Sequence, residues 1–415
     1  MNKTKNVITI VGAGQVGGLI AHHLLKQGKS VKIIDSGSKL MRENRQIPWG
    51  WVRKFSLQSD LKKNIVENKF PIPEANDRFF HNYGPMLISS KKNNSLDAWK
   101  EWKNKNPETD SKIFNYKEAA KTFNLNEDYF EEKGGVYMCD SRDYIMDFSK
   151  MNEYIWDYLE SHPNCKFIEN CKVEKINTNK NNIATSIDTN RGKLGFNKMI
   201  LCIGNQSQNL IDPNIPKLNI RLPYSFIKPI EEKDYIGLWN KDSSLTFFSN
   251  GNIKLACGTQ SSFNPNQFFY NQNYKITNLN LIFLINFSKM GLDGINNLNI
   301  NISNEELIGK AINELKILGI NDEIKFEEIK YCDIDLTPNL CPYIYFMPQA
   351  KNILNINGFS GSGSIIIDSN FINLIIDSID NDKLNEKLIE FQPSKSILKN
   401  LYPPKNKSTP LSSIV

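Results

Sequence analysis

Three glycines, at positions 12, 14 and 17, and one aspartate, Asp35, combine residue type and spacing in a way that implies chemistry. In Gly12-Ala-Gly14-Gln-Val-Gly17, Gly12 suits a tight turn. Gly14 lets backbone approach a pyrophosphate, and Gly17 lets a helix pack closely on a strand. The pyrophosphate sits at the helix N-terminus, where free N–H groups and the helix dipole favour an anion. Asp35 then accepts hydrogen bonds from an adenosine ribose. Without strand, helix and strand around it, the same run is only a glycine-rich turn.

Those elements are legible around it. Val7–Val11 (VITIV) is a short β-branched apolar run, as expected of a buried parallel strand. Val16, Leu19, Ile20 and Leu24 then recur at helical spacing up to Gly28, a helix stop. A second apolar strand, 31–34, ends in Asp35. Farther along, 171–176 and 183–187 alternate like hairpin strands about the polar turn 177–182. Residues 198–203 (KMILCI) read as a strand ending at Gly204. Short β-type runs between 221 and 260, such as 244–248 and 253–257, suggest an antiparallel sheet. A late strand, 353–356, leads into Gly358-Phe-Ser-Gly361-Ser-Gly363 and an apolar helix over 365–379, a second glycine-rich strand-to-helix junction. The tail 393–415, rich in Pro, Ser and Lys, reads as extended or frayed.

At 415 residues, two or three structural units are expected. With 40% hydrophobic and 23% charged residues the chain can bury a core, which argues against disorder, collagen and coiled coil. The longest apolar stretch, 279–285, is far short of the ~20 residues that span a bilayer. Residues 1–25 imitate a secretion signal, but glycines interrupt the apolar part and no small-residue cleavage site follows. The expectation is a cytoplasmic protein without a membrane span. Net charge is +6, and no basic block is interleaved with aromatics, so nucleic acid is not an expected partner. The 7 cysteines are scattered without a CxxC pair and only 4 histidines exist, so no metal site is expected.

The nucleotide-domain pieces are dispersed over 1–60, 165–205 and 350–380, which suits FAD better than NAD. A flavin reaches from the first glycine turn to the late one. On VITIVGAGQVGGLIAHHLLKQGKSVKIID at the start, FFHNYGPMLIS at 79–89, GGVYMCDSRDYIMDFSKMNEYI at 134–155, FIENCKVEKI at 167–176, KMILCIGNQSQNLI at 198–211, DLTPNLCPYI at 335–344 and NILNINGFSGSGSIIIDS at 352–369, the sequence resembles the FAD-dependent D-amino-acid oxidase superfamily. That superfamily includes glycine oxidase and monomeric sarcosine oxidase. The resemblance implies an α/β fold, α+β overall: a Rossmann-like FAD-binding domain split along the chain, and a substrate domain with an antiparallel sheet. The expected limits are 1–90, 150–215 and 331–390 for the FAD domain, 91–149 and 216–330 for the substrate domain, and 391–415 for the tail. It also implies that Val173 holds the adenine through its backbone and that Gly204 lies near the pyrophosphate. Gly358, Gly361 and Gly363 fall at the flavin pyrimidine end, where backbone N–H groups and a helix N-terminus stabilise negative charge.

For activity the resemblance implies an oxidoreductase acting on a C–N bond of an amine or amino-acid-like molecule, by hydride transfer to flavin N5. Molecular oxygen or another acceptor then takes the electrons. Such chemistry is mainly positioning and electrostatics. Arg53 falls where related sequences place an arginine under the flavin. Trp49 and Trp51 wall an apolar pocket or are ordinary core aromatics. His81 reaches the pocket or serves the structure. Lys254 matches a lysine that assists oxygen reduction, if the strand register holds. Cys332 lies five residues before Thr337, the spacing of a cysteine bonded covalently to the flavin, and is otherwise a buried thiol. The sequence departs from the family at Ile334 and Ser56, which stand where carboxylate-binding arginines are found. Arginine is the residue suited to a bidentate carboxylate, so the substrate lacks a free carboxylate or is held differently. The alternative reading is a two-component flavin monooxygenase or halogenase. Substrate and oligomeric state are not legible.

Overall fold

The computed structural model describes residues 7–38, 148–204, 341–359 and 368–393 as continuous stretches, with shorter pieces between them, of which 112–123, 217–228 and 330–337 are the longest. In chain order the elements begin with β1 (Val7–Val11), α1 (Gln15–Lys26), β2 (Ser30–Ile34), β3 (Trp51–Val52), β4 (Phe80–His81), β5 (Met86–Ile88), β6 (Lys112–Phe114), α2 (Tyr116–Phe123), β7 (Tyr137–Cys139), β8 (Tyr144–Met146), α3 (Phe148–Ser161) and β9 (Cys165–Ile168). They continue with β10 (Val173–Thr178), β11 (Ala184–Thr189), β12 (Gly192–Gly195), β13 (Lys198–Leu201), β14 (Leu218–Lys228), β15 (Leu238–Trp239), β16 (Ser243–Phe247), β17 (Ile253–Cys257), β18 (Lys325–Phe326), β19 (Lys330–Leu336), β20 (Tyr343–Met347), β21 (Ala350–Asn357) and α4 (Ser369–Asp380), followed by a 3₁₀ helix at Glu386–Phe391.

β1 is apolar along most of its length because both faces of its sheet are covered, as parallel sheets require. The sheet runs β20-β21-β13-β1-β2-β9, every neighbouring pair parallel except β20–β21. One face packs Ile10, Ile200 and Ile356 against Leu19, Ile155 and Phe371 of α1, α3 and α4. On the other face Val11, Leu201 and Ile353 meet Ala184 and Ile187 of the antiparallel meander β10-β11-β12. The result is three layers with two cores.

Two polar contacts, the first of them largely buried, lock the layers. The Asn352 amide donates to the carbonyls of Ala184 and Asn197, and its Oδ1 accepts from the Ala184 N–H at 2.8 Å. Lys198 donates to the carbonyls of Ile379 and Asp380, both at 2.8 Å, placing a cation where the α4 dipole is negative. Gly28, with φ +77°, stands just past α1 as the periodicity predicts.

A second sheet runs β18-β14-β17-β16-β15-β5-β7-β6, with β19 also on β14. It contains the antiparallel β16–β17 pair that the runs 244–248 and 253–257 predict. A third, β3-β8-β4, sets Trp51 and His81 on either side of Ile145.

The structure departs from the sequence expectation at three elements. β12 and β20 add strands that local alternation does not mark, one short and glycine-bounded, one apolar without a break. The late helix begins at Ser369 rather than 365, because the Asp368 side chain accepts from the N–H groups of Asn370 and Phe371 and starts the helix there. The tail beyond 393 lies outside the described residues. Among the described residues, no helix is long and apolar enough to cross a membrane.

Candidate functional site

The first glycine junction is built by close backbone packing. Gly12 has φ +98°, and a Cβ there would lie 2.3 Å from the Cys202 carbonyl oxygen. That carbonyl follows β13, whose pairing continues through the Cys202 N–H to Val11 O at 2.8 Å. A Cβ on Gly17 would lie 1.9 Å from the Gly12 carbonyl oxygen, so α1 sits directly on the turn. Gly14 differs: nothing lies within 4 Å of its Cβ position. It is the N-cap of α1, it supplies no side-chain cap, and the first turn carries no acid. With no side-chain cap and no acid in its first turn, the helix start offers its N–H donors and positive dipole end to an anion. A chain that opens the backbone here and tightens it on both sides fits a pyrophosphate.

Asp35 is buried at the end of β2. Its Oδ2 accepts the Ala13 N–H at 2.7 Å and its Oδ1 accepts the Gly37 N–H at 2.8 Å. The carboxylate thus ties the glycine turn to the turn after β2, a role that motif spacing does not reveal. From the other side, Trp156 of α3 donates its indole N–H to the Ala13 carbonyl at 2.9 Å. Nothing local in the sequence links residue 156 to residue 13.

Gly204 lies two residues beyond Cys202, with φ +53° and an exposed, open surroundings. Gly12, Gly14, Gly17, Asp35 and Gly204 therefore meet at one end of the parallel sheet. Val173 opens β10, packed against the meander-side core and opposite Thr189. At the late junction Gly358 has φ +69°, and a Cβ there would lie 2.5 Å from Thr337 Cγ2. Thr337 Oγ1 donates to the Cys341 carbonyl at 2.7 Å, which links this junction to the end of β19. Next to it, Lys217 and Asp335 form a buried ion pair at 3.2 Å.

Along β19 the backbone sets Cys332 opposite Leu222 and Ile334 opposite Ile220 of β14. Lys254 occupies β17 between Phe226 and Thr246. Arg53, Trp49, Gly361 and Gly363 lie outside the described residues. At α4 the N–H groups of Asn370 and Phe371 are held by the Asp368 side chain, and residues 360–365, which carry the late glycines, lie outside the described residues.

Two asparagines on β21 escape the motif search. Asn355 is fully buried, and among the described residues neither its amide nitrogen nor its oxygen has a hydrogen-bond partner; Asn357 Oδ1 is in the same state. Burial also pushes the Cys165 thiol up to about 11 and raises Cys202 further, so both are inert neutral thiols. Among the described residues, no His, Cys, Asp and Glu cluster has the form of a metal site.

No curated protein matches the chain. Solved structures do. Fructosyl peptide oxidase from E. terrenum has 14% identity and a TM-score of 0.71, over 94% of this chain and 92% of that one. L-proline dehydrogenase from P. horikoshii has 17% identity and a TM-score of 0.66, over 94% and 97%. Glycine oxidase from Bacillus cereus ATCC 14579 has 13% identity and a TM-score of 0.67, over 92% and 97%. At such identities the likeness is one of fold. The model of the FAD dependent oxidoreductase family matches residues 8–367, from β1 through the late glycine junction. By that match, which takes in both glycine junctions and the sheet between them, this chain belongs to the FAD dependent oxidoreductases.

Proposed function

We propose that the chain oxidises a C–N bond of an amine or amino-acid-like molecule. The observation that carries this reading is its family together with its fold, shared with proteins named as a proline dehydrogenase, an amino acid deaminase, a fructosyl peptide oxidase and a glycine oxidase. Bound FAD supplies the two-electron chemistry.

The chain's residues bind and orient. Gly12, Gly14, Gly17 and the start of α1 receive the pyrophosphate, with Gly204 beside it. Asp35 meets the ribose; a carboxylate accepts about four hydrogen bonds, so a ribose hydroxyl is compatible with its two backbone amides. The Val173 backbone holds the adenine, and Gly358, Gly361 and Gly363 line the flavin end. In this reading 1–90, 150–215 and 331–390 make up the cofactor domain, and 91–149 with 216–330 the substrate domain. Arg53 sets a positive field near the ring, Lys254 assists reduction of the electron acceptor, and Trp49, Trp51 and His81 serve the substrate pocket. Cys332 would bond covalently to the flavin or remains a buried thiol.

Ile334 gives the substrate specificity its direction. With an apolar residue where a carboxylate fork is expected, an amine with apolar or aromatic bulk is preferred over a small zwitterion. Apolar burial contributes about 25 cal/mol per Å² where no fixed cation answers a carboxylate. The test is anaerobic single-turnover bleaching of the flavin by glycine, sarcosine and larger aromatic amines, in wild type and Arg53→Met. Bulky amines should bleach fastest, and the variant should lose rate more than affinity. Fast bleaching by glycine, with a variant that loses only affinity, would make Arg53 the carboxylate anchor.

A further inference from the structure

Ala13 is gripped from both sides. Its N–H goes to Asp35 Oδ2 at 2.7 Å, and its carbonyl accepts the buried Trp156 indole N–H at 2.9 Å. A buried indole N–H needs an acceptor. Trp156 takes one from the cofactor turn, although it belongs to α3, packed alongside α1 at Gly18 and Ile155.

The acceptor's identity gives that contact its meaning. The Ala13 carbonyl and the Gly14 N–H belong to one planar trans peptide, in which they point in opposite directions. Fixing the carbonyl toward Trp156 therefore fixes the Gly14 N–H away from it. Gly14 is the N-cap of α1, with open space at its Cβ position and no side-chain cap. A donor on the carbonyl also polarises the peptide and strengthens its N–H. The two preceding peptides are pinned separately, Gly12–Ala13 by Asp35 at the Ala13 N–H and Val11–Gly12 by the Gly12 N–H to Ile34 O at 2.8 Å. The turn is thus held at three successive points before any ligand arrives.

We propose that Trp156 is a positioning residue for the pyrophosphate of FAD, acting through the Ala13–Gly14 peptide. This rests on the family's cofactor and not on the proposed substrate. It never touches the ligand. It holds the Gly14 N–H in its binding direction, and so removes the cost of ordering the turn on binding.

The test measures FAD release from the full-length flavoprotein by the return of flavin fluorescence, and competition by ADP, which carries the pyrophosphate without the flavin. Trp156→Phe should weaken FAD about three- to tenfold, the worth of one hydrogen bond, and ADP by the same factor. Benzothienylalanine at 156, with the indole outline and no N–H, should reproduce the loss and covers the case in which phenylalanine does not fold. Leu159→Ala, a truncation of the fully buried next turn of α3, should lower Tm while leaving FAD affinity near wild type. Wild-type affinity in the benzothienylalanine variant would overturn the proposal. So would loss of FAD without loss of ADP, or equal weakening by Leu159→Ala, which would leave Trp156 a core residue only.

Discussion

Two strands of one sheet, β1 and β21, each run into a glycine and then on to a helix, yet the two junctions end in opposite electrical states. At the first, α1 starts on Gly14 with no side-chain cap and no acid in its first turn. At the late one, α4 starts on Asp368, whose carboxylate holds the N–H groups of Asn370 and Phe371. An acidic cap and an anionic ligand compete for the same amides, so the first helix start is open to an anion and the second is occupied by its own cap. Glycine content does not separate them. The side chain at the N-cap does.

The most severe way to break this contrast is to fill the first junction. Gly17→Ala sets a methyl 1.9 Å from the Gly12 carbonyl oxygen and should cost roughly 3–5 kcal/mol, giving protein without the flavin absorption. Gly14→Ala meets nothing within 4 Å, so the apoprotein should melt as wild type while FAD affinity falls. Equal melting losses in the two would deny them different roles.

Asp35→Ala strands two backbone donors and should cost about 1.5–3 kcal/mol, in apoprotein stability as well as FAD affinity. A loss confined to FAD would show that the carboxylate serves the ribose alone.

At the late junction Asp368→Ala should cost about 1 kcal/mol of stability and leave FAD affinity unchanged. If FAD weakens as it does in Gly14→Ala, the α4 terminus belongs to the cofactor site after all.

Within β21, Asn355→Leu replaces an amide that has no partner among the described residues by an apolar group of like size and should raise Tm slightly. Asn352→Leu should lower it, since that amide makes three bonds. A drop in both would mean that Asn355 is satisfied through bound water.

The smallest effect is a pH dependence. Cys165 has its pKa raised from 9.0 to about 11, so its contribution is intact below pH 9 and is lost as pH rises toward 11. Cys165→Ser should flatten the alkaline end of a stability–pH curve.

The contrast between the junctions also explains what was legible. Gly12, Gly17 and the strand before them follow from local steric demand, which spacing records directly. Asp35 is flagged by position, but its grip on Ala13 is a contact across 22 residues. Trp156 and Ala13 lie 143 residues apart, and no local pattern links them. The late helix was expected at 365 because its apolar run starts there, whereas the cap that starts it is a single polar residue inside that run. Polar contacts of one side chain leave no periodic trace, so they are the part that the amino-acid pattern conceals.

The strand order has a consequence in time. β1 pairs with β13 and β13 with β21, so the floor of the cofactor site joins residues near 10, 200 and 354. Such distant pairings are slow to form, because loop closure must precede the contacts that reward it. At roughly 5–20 residues per second of synthesis, the glycine turn emerges long before the strand that completes its sheet. Until β21 arrives, the β13 edge that it will cover is open to pairing with other chains. Maturation of this flavoprotein is therefore expected to be late and all at once, with FAD entering after the last strand, and a nascent chain halted before residue 350 should neither hold the cofactor nor stay free of aggregation.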